Sequence, residues 1–348
     1  MKKKLAFLLT CLLSLAMFSG CSTTPNSGFS GTYWLENHSA SNVQKDFYEK
    51  IEYNVSFIEE DDLAPKLYEL NDDYLNFIID EEKSSYVTEL YSEGDLYVYK
   101  TKLVINGAYT FGEFTYSVED DVTETITKFK GMENGFACVE STKSVKNVYP
   151  AKQAPINEDD FVTLTADFKI VYGEKSATLT VDAKDSVSKS LLVSVQEPVT
   201  VKNYNKKAYI DNDLMLLIFR NFNYDDSLNY TFKTIDSATG ALREISGAKR
   251  VDQTSTASLA VRSFEIASYV DTVSNNRMNI KFNCFGISFK TMGEYSQSFC
   301  HAYYAKSVEG AMISGENVAR HYMVKCYRPA IYNIGYMVYT IDTVTHQR

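Results

Sequence analysis

From about residue 50 to residue 342 the chain is built of short runs in which apolar and polar residues alternate, separated by turn formers. Side chains alternate across a strand, so such runs bury one face and wet the other. In Lys50–Ile58 (KIEYNVSFI) this puts Ile51, Tyr53, Val55 and Phe57 together. Asp95–Ile105 leads into Asn106-Gly107, a strong two-residue hairpin signal, and Ala108–Phe114 is read as the return strand. Further hairpins are read from Thr123–Lys130 into Phe136–Val148, from Phe161–Val171 into Ala177–Asp182, and from Asn229–Ile235 into Ala241–Ile245. The last third reads as strands over Leu259–Val270, Met278–Lys290, Glu294–Tyr304, Ala319–Tyr327 and Ile331–Asp342. Short strands joined by tight turns predict an all-β, antiparallel body. Its expected form is a large curved sheet, a half-barrel or a sandwich. The 26 Tyr and 20 Phe favour strands in the same way, and the single Trp, Trp34, gives little support to a sugar-stacking platform.

One stretch departs from alternation. Asp211–Phe222 (DNDLMLLIFRNF) starts on a good N-cap and runs apolar from Leu214 to Phe219. Asp213 suits the positive end of a helix. A short buried helix packed on the sheet is expected, with a buried strand as the alternative. Ser41–Tyr48 is a weaker second helix. Tyr149–Asp160, with two of the six prolines and an acidic cluster, is the best internal boundary. It divides the body into 31–152 and 153–348, as two regions or as parts of one continuous β domain.

The start of the chain is of another kind. Lys2–Lys4 precede a stretch, Leu5–Phe18, interrupted only by Thr10 and Ser14, and Ser19-Gly20 then lead to Cys21. Charge, apolar length and small residues match a secretory leader and are too short for a comfortable membrane span. The stretch resembles the leader and lipobox of bacterial lipoproteins, with Phe18 in place of the usual branched aliphatic. The resemblance covers residues 1–21. It implies removal of residues 1–20, acyl chains of the palmitate kind on Cys21, and an extracytoplasmic protein anchored to the cell membrane. Two or three chains hold firmly where one is marginal, at about 0.8 kcal/mol per buried CH₂. Residues 21–30 then read as the lipidated cysteine and a polar tether. Loss of three lysines takes the formal charge from −10 to −13. An acidic body disfavours nucleic acid and anionic lipid surfaces. The body resembles envelope half-barrel carriers only in outline, and fold does not fix function.

The search for chemistry is sparse. There is no HExxH, CxxC, GxSxG or phosphate-binding loop. The histidines are His38, His301, His321 and His346. Cys300 and His301, being adjacent in a strand, point to opposite faces, so the Cys284, Cys300, His301, His321 and Cys326 group predicts no metal. No cofactor is predicted either. Acidic clusters at Glu59–Asp62, Asp80–Glu82, Glu119–Asp121, Glu158–Asp160 and Asp225-Asp226 fall at turns and read as solvated charge, without the spacing of a calcium loop. Sequons at Asn37, Asn54 and Asn229 carry no weight in the bacterial setting that the leader implies. The cysteines of the body are Cys138, Cys284, Cys300 and Cys326, which allow three pairings or none. A three-residue turn at Thr291-Met292-Gly293 places Cys284 opposite Cys300, Phe285 opposite Phe299 and Phe289 opposite Tyr295. A disulfide at that site is expected to be strained, which favours two buried thiols. Lys306–Asn317 reads as a loop folded back on the sheet.

These readings predict a non-enzymatic, membrane-anchored binding protein for an apolar or amphipathic ligand, with no catalytic residues. A surface module that presents a sheet face to another protein is the alternative. A glycan hydrolase with paired carboxylates is a minor one.

Overall fold

The computed structural model describes residues 45–61, 64, 75–132, 135–192, 197–221, 229–249, 261–271, 277–291, 298–309 and 321–347. Cys21, the leader, His38 and Asp225-Asp226 lie outside these residues.

The alternating runs become strands. The first half holds β1 (Tyr48–Ile58), β2 (Asn76–Ile79), β3 (Ser85–Glu93), β4 (Leu96–Phe111), β5 (Phe114–Met132), β6 (Gly135–Pro150), β7 (Phe161–Tyr172), β8 (Ala177–Ala183) and β9 (Val199–Val201). The second holds β10 (Tyr209–Asp211), β11 (Asn229–Ile235), β12 (Leu242–Lys249), β13 (Val261–Asp271), β14 (Arg277–Thr291), β15 (Ser298–Glu309), β16 (Met323–Pro329) and β17 (Tyr336–Gln347). All belong to one hydrogen-bonded sheet. Strands β3 to β9 pair in chain order, and so do β14 to β17. Strand β1 joins the two meanders, pairing with β3 on one edge and β17 on the other. Strands β12 and β13 share one edge of β14. Pairing is antiparallel except for β10 with β11 and a two-residue contact of β13 with β17. The sheet is open, with β9 and β10 each bonded on one side only.

Where side chains are described, one face of the sheet is largely buried. Strand β8 alternates strictly between buried and exposed, and Ile51, Tyr53 and Val55 of β1 are buried as the sequence predicts. A single large core gathers residues from Phe47 to Val344, so the sheet curves around it. The Tyr149–Asp160 segment links neighbouring strands: Pro150 faces Phe161 across β6 and β7, and Ala151 N–H donates to the Asp160 carbonyl at 2.7 Å.

The apolar run after Asp211 does form the expected helical plug. It is a 3-10 turn at Asn212–Leu214, an α-helical turn at Met215–Ile218 and a second 3-10 turn at Phe219–Asn221. The Asp211 carboxylate caps it by accepting from the Asp213 N–H at 2.8 Å. Leu214, Met215, Leu217, Ile218 and Phe219 are all buried in the core.

Four expectations are corrected. Asn106-Gly107 is no hairpin turn; β4 runs straight through it, and the chain reverses at Gly112, whose φ is +57°. The Asn106 side chain is spent on neighbours far in sequence, accepting from Asp120 N–H at 3.0 Å and donating to the Lys83 carbonyl at 2.9 Å. Residues 45–48 lead through a turn into β1 rather than forming a helix. The register of β14 with β15 is shifted, so Cys284 faces Ala305, Phe285 faces Tyr304 and Phe289 faces Cys300. Ser307–Glu309, expected in a loop, continue β15 and pair with β14. The sequence reading also missed a short helix, α1 (Ser186–Leu191), where Asp185 accepts from both the N–H and the hydroxyl of Ser188.

Candidate binding site

The plug's buried side chains pack into the core beside those of the sheet, and polar anchors fasten the plug at both ends. At its start, Asp211 accepts a short hydrogen bond from the Tyr172 hydroxyl. Asp213 accepts from Lys143 Nζ at 3.1 Å and from the Ser237 hydroxyl at 2.5 Å. Burial, and then the charge of Asp213, push the Asp211 pKa up to about 7. At its end, Arg220 makes a buried two-pronged ion pair with Glu49 of β1, at 2.6 and 3.1 Å. The guanidinium lies 5.0 Å from the Tyr322 ring centre. Burial works against the Arg220 charge, and Glu49 outweighs it and raises the pKa. The backbone is held too, as the Tyr304 hydroxyl donates to the Leu216 carbonyl at 3.0 Å. The interior carboxylates beside the plug, Asp211 and Asp213, are therefore occupied in holding it.

The other end of the sheet is different. Ile105 faces Asp121, but Gly107 faces Val118, so β5 carries one extra residue. That residue is Asp120, with φ of 50°. The bulge swaps the faces of β5: Thr125 and Thr127 face the core on one side of it, Val118 and Tyr116 on the other. Strand β4 keeps its alternation, so Tyr109 now stands directly across from Tyr116. Gly107 lets β2 press close, since a Cβ there would lie 2.3 Å from the Ile78 carbonyl oxygen.

These features assemble a second, smaller apolar cluster on a buried floor of Leu75, Phe77, Val118, Val148 and Ile334. Above it runs a row of rings. Phe57 and Phe77 are 5.8 Å apart, Phe77 and Tyr109 4.8 Å, and Tyr109 and Phe161 5.6 Å. Phe161 then stacks on Tyr116 at 4.0 Å with planes 6° apart. Phe57, Tyr109, Phe114, Tyr116 and Phe161 remain partly exposed. Around this end stand the exposed carboxylates Glu59, Glu60, Glu113, Glu158 and Asp159, with no ion-pair partner among the described residues. Lys152 on the same rim pairs with Asp160 at 2.8 Å.

Among the described residues, Glu59–Asp61, Asp80–Glu82 and Glu158–Asp160 lie in connections between strands, whereas Glu119–Asp121, expected at a turn, sit at the bulge inside β5. Asp121 turns inward, accepts from the Asn147 side chain at 2.6 Å and the Val148 N–H at 2.9 Å, and has its pKa raised by burial. Of the histidine and cysteine group, Cys300 and Cys326 come together, while the histidines bond elsewhere. His301 Nδ1 lies 2.9 Å from the Ser288 hydroxyl, and His321 Nδ1 lies 3.3 Å from the Arg220 carbonyl oxygen. Among the described residues no three metal-ligating side chains meet. Cys138, Cys284, Cys300 and Cys326 are buried and free. Sequence reasoning missed the ring row, because its members come from β1, β2, β4, β5 and β7. The clue on offer was the aromatic residues packed around Gly112, Phe111 and Phe114 with Tyr109 and Tyr116.

No family model, no curated protein and no solved structure matches the chain.

Proposed function

We propose that the protein is a non-enzymatic binding protein, anchored to the extracytoplasmic side of the cell membrane through lipidated Cys21, whose ligand is an amphipathic molecule with a cationic head. The single observation that carries this reading is the partly exposed ring row fringed by carboxylates that have no ion-pair partner among the described residues. An apolar chain lies along ring faces with little loss of solvation, and burial of each CH₂ contributes about 0.8 kcal/mol. A cation over an aromatic face gains about 0.5–1 kcal/mol at an exposed site and more when desolvated. The acidic body adds a long-range bias in the same direction and repels anionic amphiphiles.

The test uses the chain from Ser22 onward, which contains every described residue. Calorimetric titrations compare dodecyltrimethylammonium, dodecyl maltoside and dodecyl sulfate, each below its micelle concentration. Saturable binding in the order cationic, neutral, anionic is expected. Equal affinity for all three, or preference for the sulfate, overturns the reading. A chain that binds none of them but captures a defined envelope protein through the same end belongs to the scaffold alternative. The anchor is tested separately: incorporation of labelled palmitate should be lost in Cys21→Ser.

A further inference from the structure

We propose that Cys300 and Cys326 form a disulfide when the chain folds in the presence of a small-molecule disulfide oxidant, while Cys138 and Cys284 remain thiols. Ala302 of β15 faces Cys326 of β16, so Cys300 is the diagonal neighbour of Cys326 on the same face of the sheet. Their sulfurs lie 3.1 Å apart, and both residues are fully buried. Among the described residues the other two cysteines have no such neighbour: Cys284 faces Ala305, and Cys138 of β6 packs by the backbone of Asp211.

In the reaction, a thiolate of the pair attacks one sulfur of the oxidant and expels one small thiol. The second thiolate then attacks the protein-bound sulfur and expels the other. Two S–H bonds are lost and one S–S bond is made, and two electrons and two protons end on the small thiols. The folded sheet hinders the first step, because it shuts out the oxidant and burial raises the Cys326 thiol pKa. Oxidation therefore belongs to folding, and the finished sheet seals its product. The link would tie two neighbouring strands and close the chain that runs between them, restricting the unfolded state.

The experiment refolds the reduced chain carrying Cys11→Ser and Cys21→Ser with oxidised glutathione, alkylates every remaining thiol under denaturing conditions and maps the peptides by mass. The expected product has Cys300 joined to Cys326, lighter by two hydrogens, with Cys138 and Cys284 alkylated. Adding the same oxidant to the folded, reduced chain should give this product about tenfold more slowly or worse. A Cys138→Ala/Cys284→Ala double variant should still form the link. Alkylation of both Cys300 and Cys326 after oxidative refolding, or a link that includes Cys138 or Cys284, overturns the proposal.

Discussion

Phe219 and Phe161 are the centres of two ring clusters built to nearly the same dimensions. Phe219 lies 4.0 Å from Phe289 and 5.3 Å from Phe232. Phe161 lies 4.0 Å from Tyr116 and 5.6 Å from Tyr109. Yet Phe219 is fully buried and Phe161 is partly exposed. Residue type and spacing do not separate them. The difference is what lies over each. Phe219 belongs to the plug itself, which ion pairs and hydroxyls clamp into the curve of the sheet. Phe161 stands at the sheet's end, where the β5 bulge brings Tyr116 across from Tyr109 and stacked on Phe161. The first cluster stabilises the fold, and the second is the one proposed to take a ligand.

The largest effect expected from breaking this contrast comes from Glu49→Ala. It strands the Arg220 guanidinium in the core, which costs about 3–5 kcal/mol. Urea unfolding should register this as a lower midpoint. Phe219→Ala should cost about 3–5 kcal/mol by emptying a packed site. Phe161→Ala removes a ring that is already partly wet and should cost about 1–2 kcal/mol. If the two phenylalanine variants lose equal stability, the end cluster is core and the contrast fails.

A further effect is a pH slope. Folding lifts the Asp211 pKa from 3.8 to about 7, so the folded state keeps a proton that the unfolded chain has released between those values. The stability this gives is fully present below about pH 4 and is lost as pH rises through 7. Thermal midpoints of Asp211→Asn, measured from pH 4 to 8, should lack that share of the decline. A variant with the same slope as the parent removes Asp211 from the account.

Much of the fold was legible because its signals are local. The turn from β7 to β8 and the turn from β11 to β12 lie where Gly173 and Gly240 place them, and the Asp211 cap followed by an apolar run marked the plug. Local signals also misled. Asn106-Gly107 has the composition of a turn, but its amide is claimed by Lys83 and Asp120, which no short window contains. The register of β14 and β15 was misplaced because it depends on where the connecting turn falls, and a five-residue displacement in partner separates Cys284 from Cys300. The ring row was the least legible. It exists only after a bulge has changed the parity of β5 and a glycine has let β2 approach β4.

The most direct measurement is the affinity of dodecyltrimethylammonium for the parent chain and for Phe161→Ala, with the unfolding midpoint recorded on the same samples. The account expects binding to weaken about tenfold or more, from loss of the stacking face, while the variant stays folded. Undiminished affinity in a folded Phe161→Ala variant would contradict it and place the ligand away from the aromatic end.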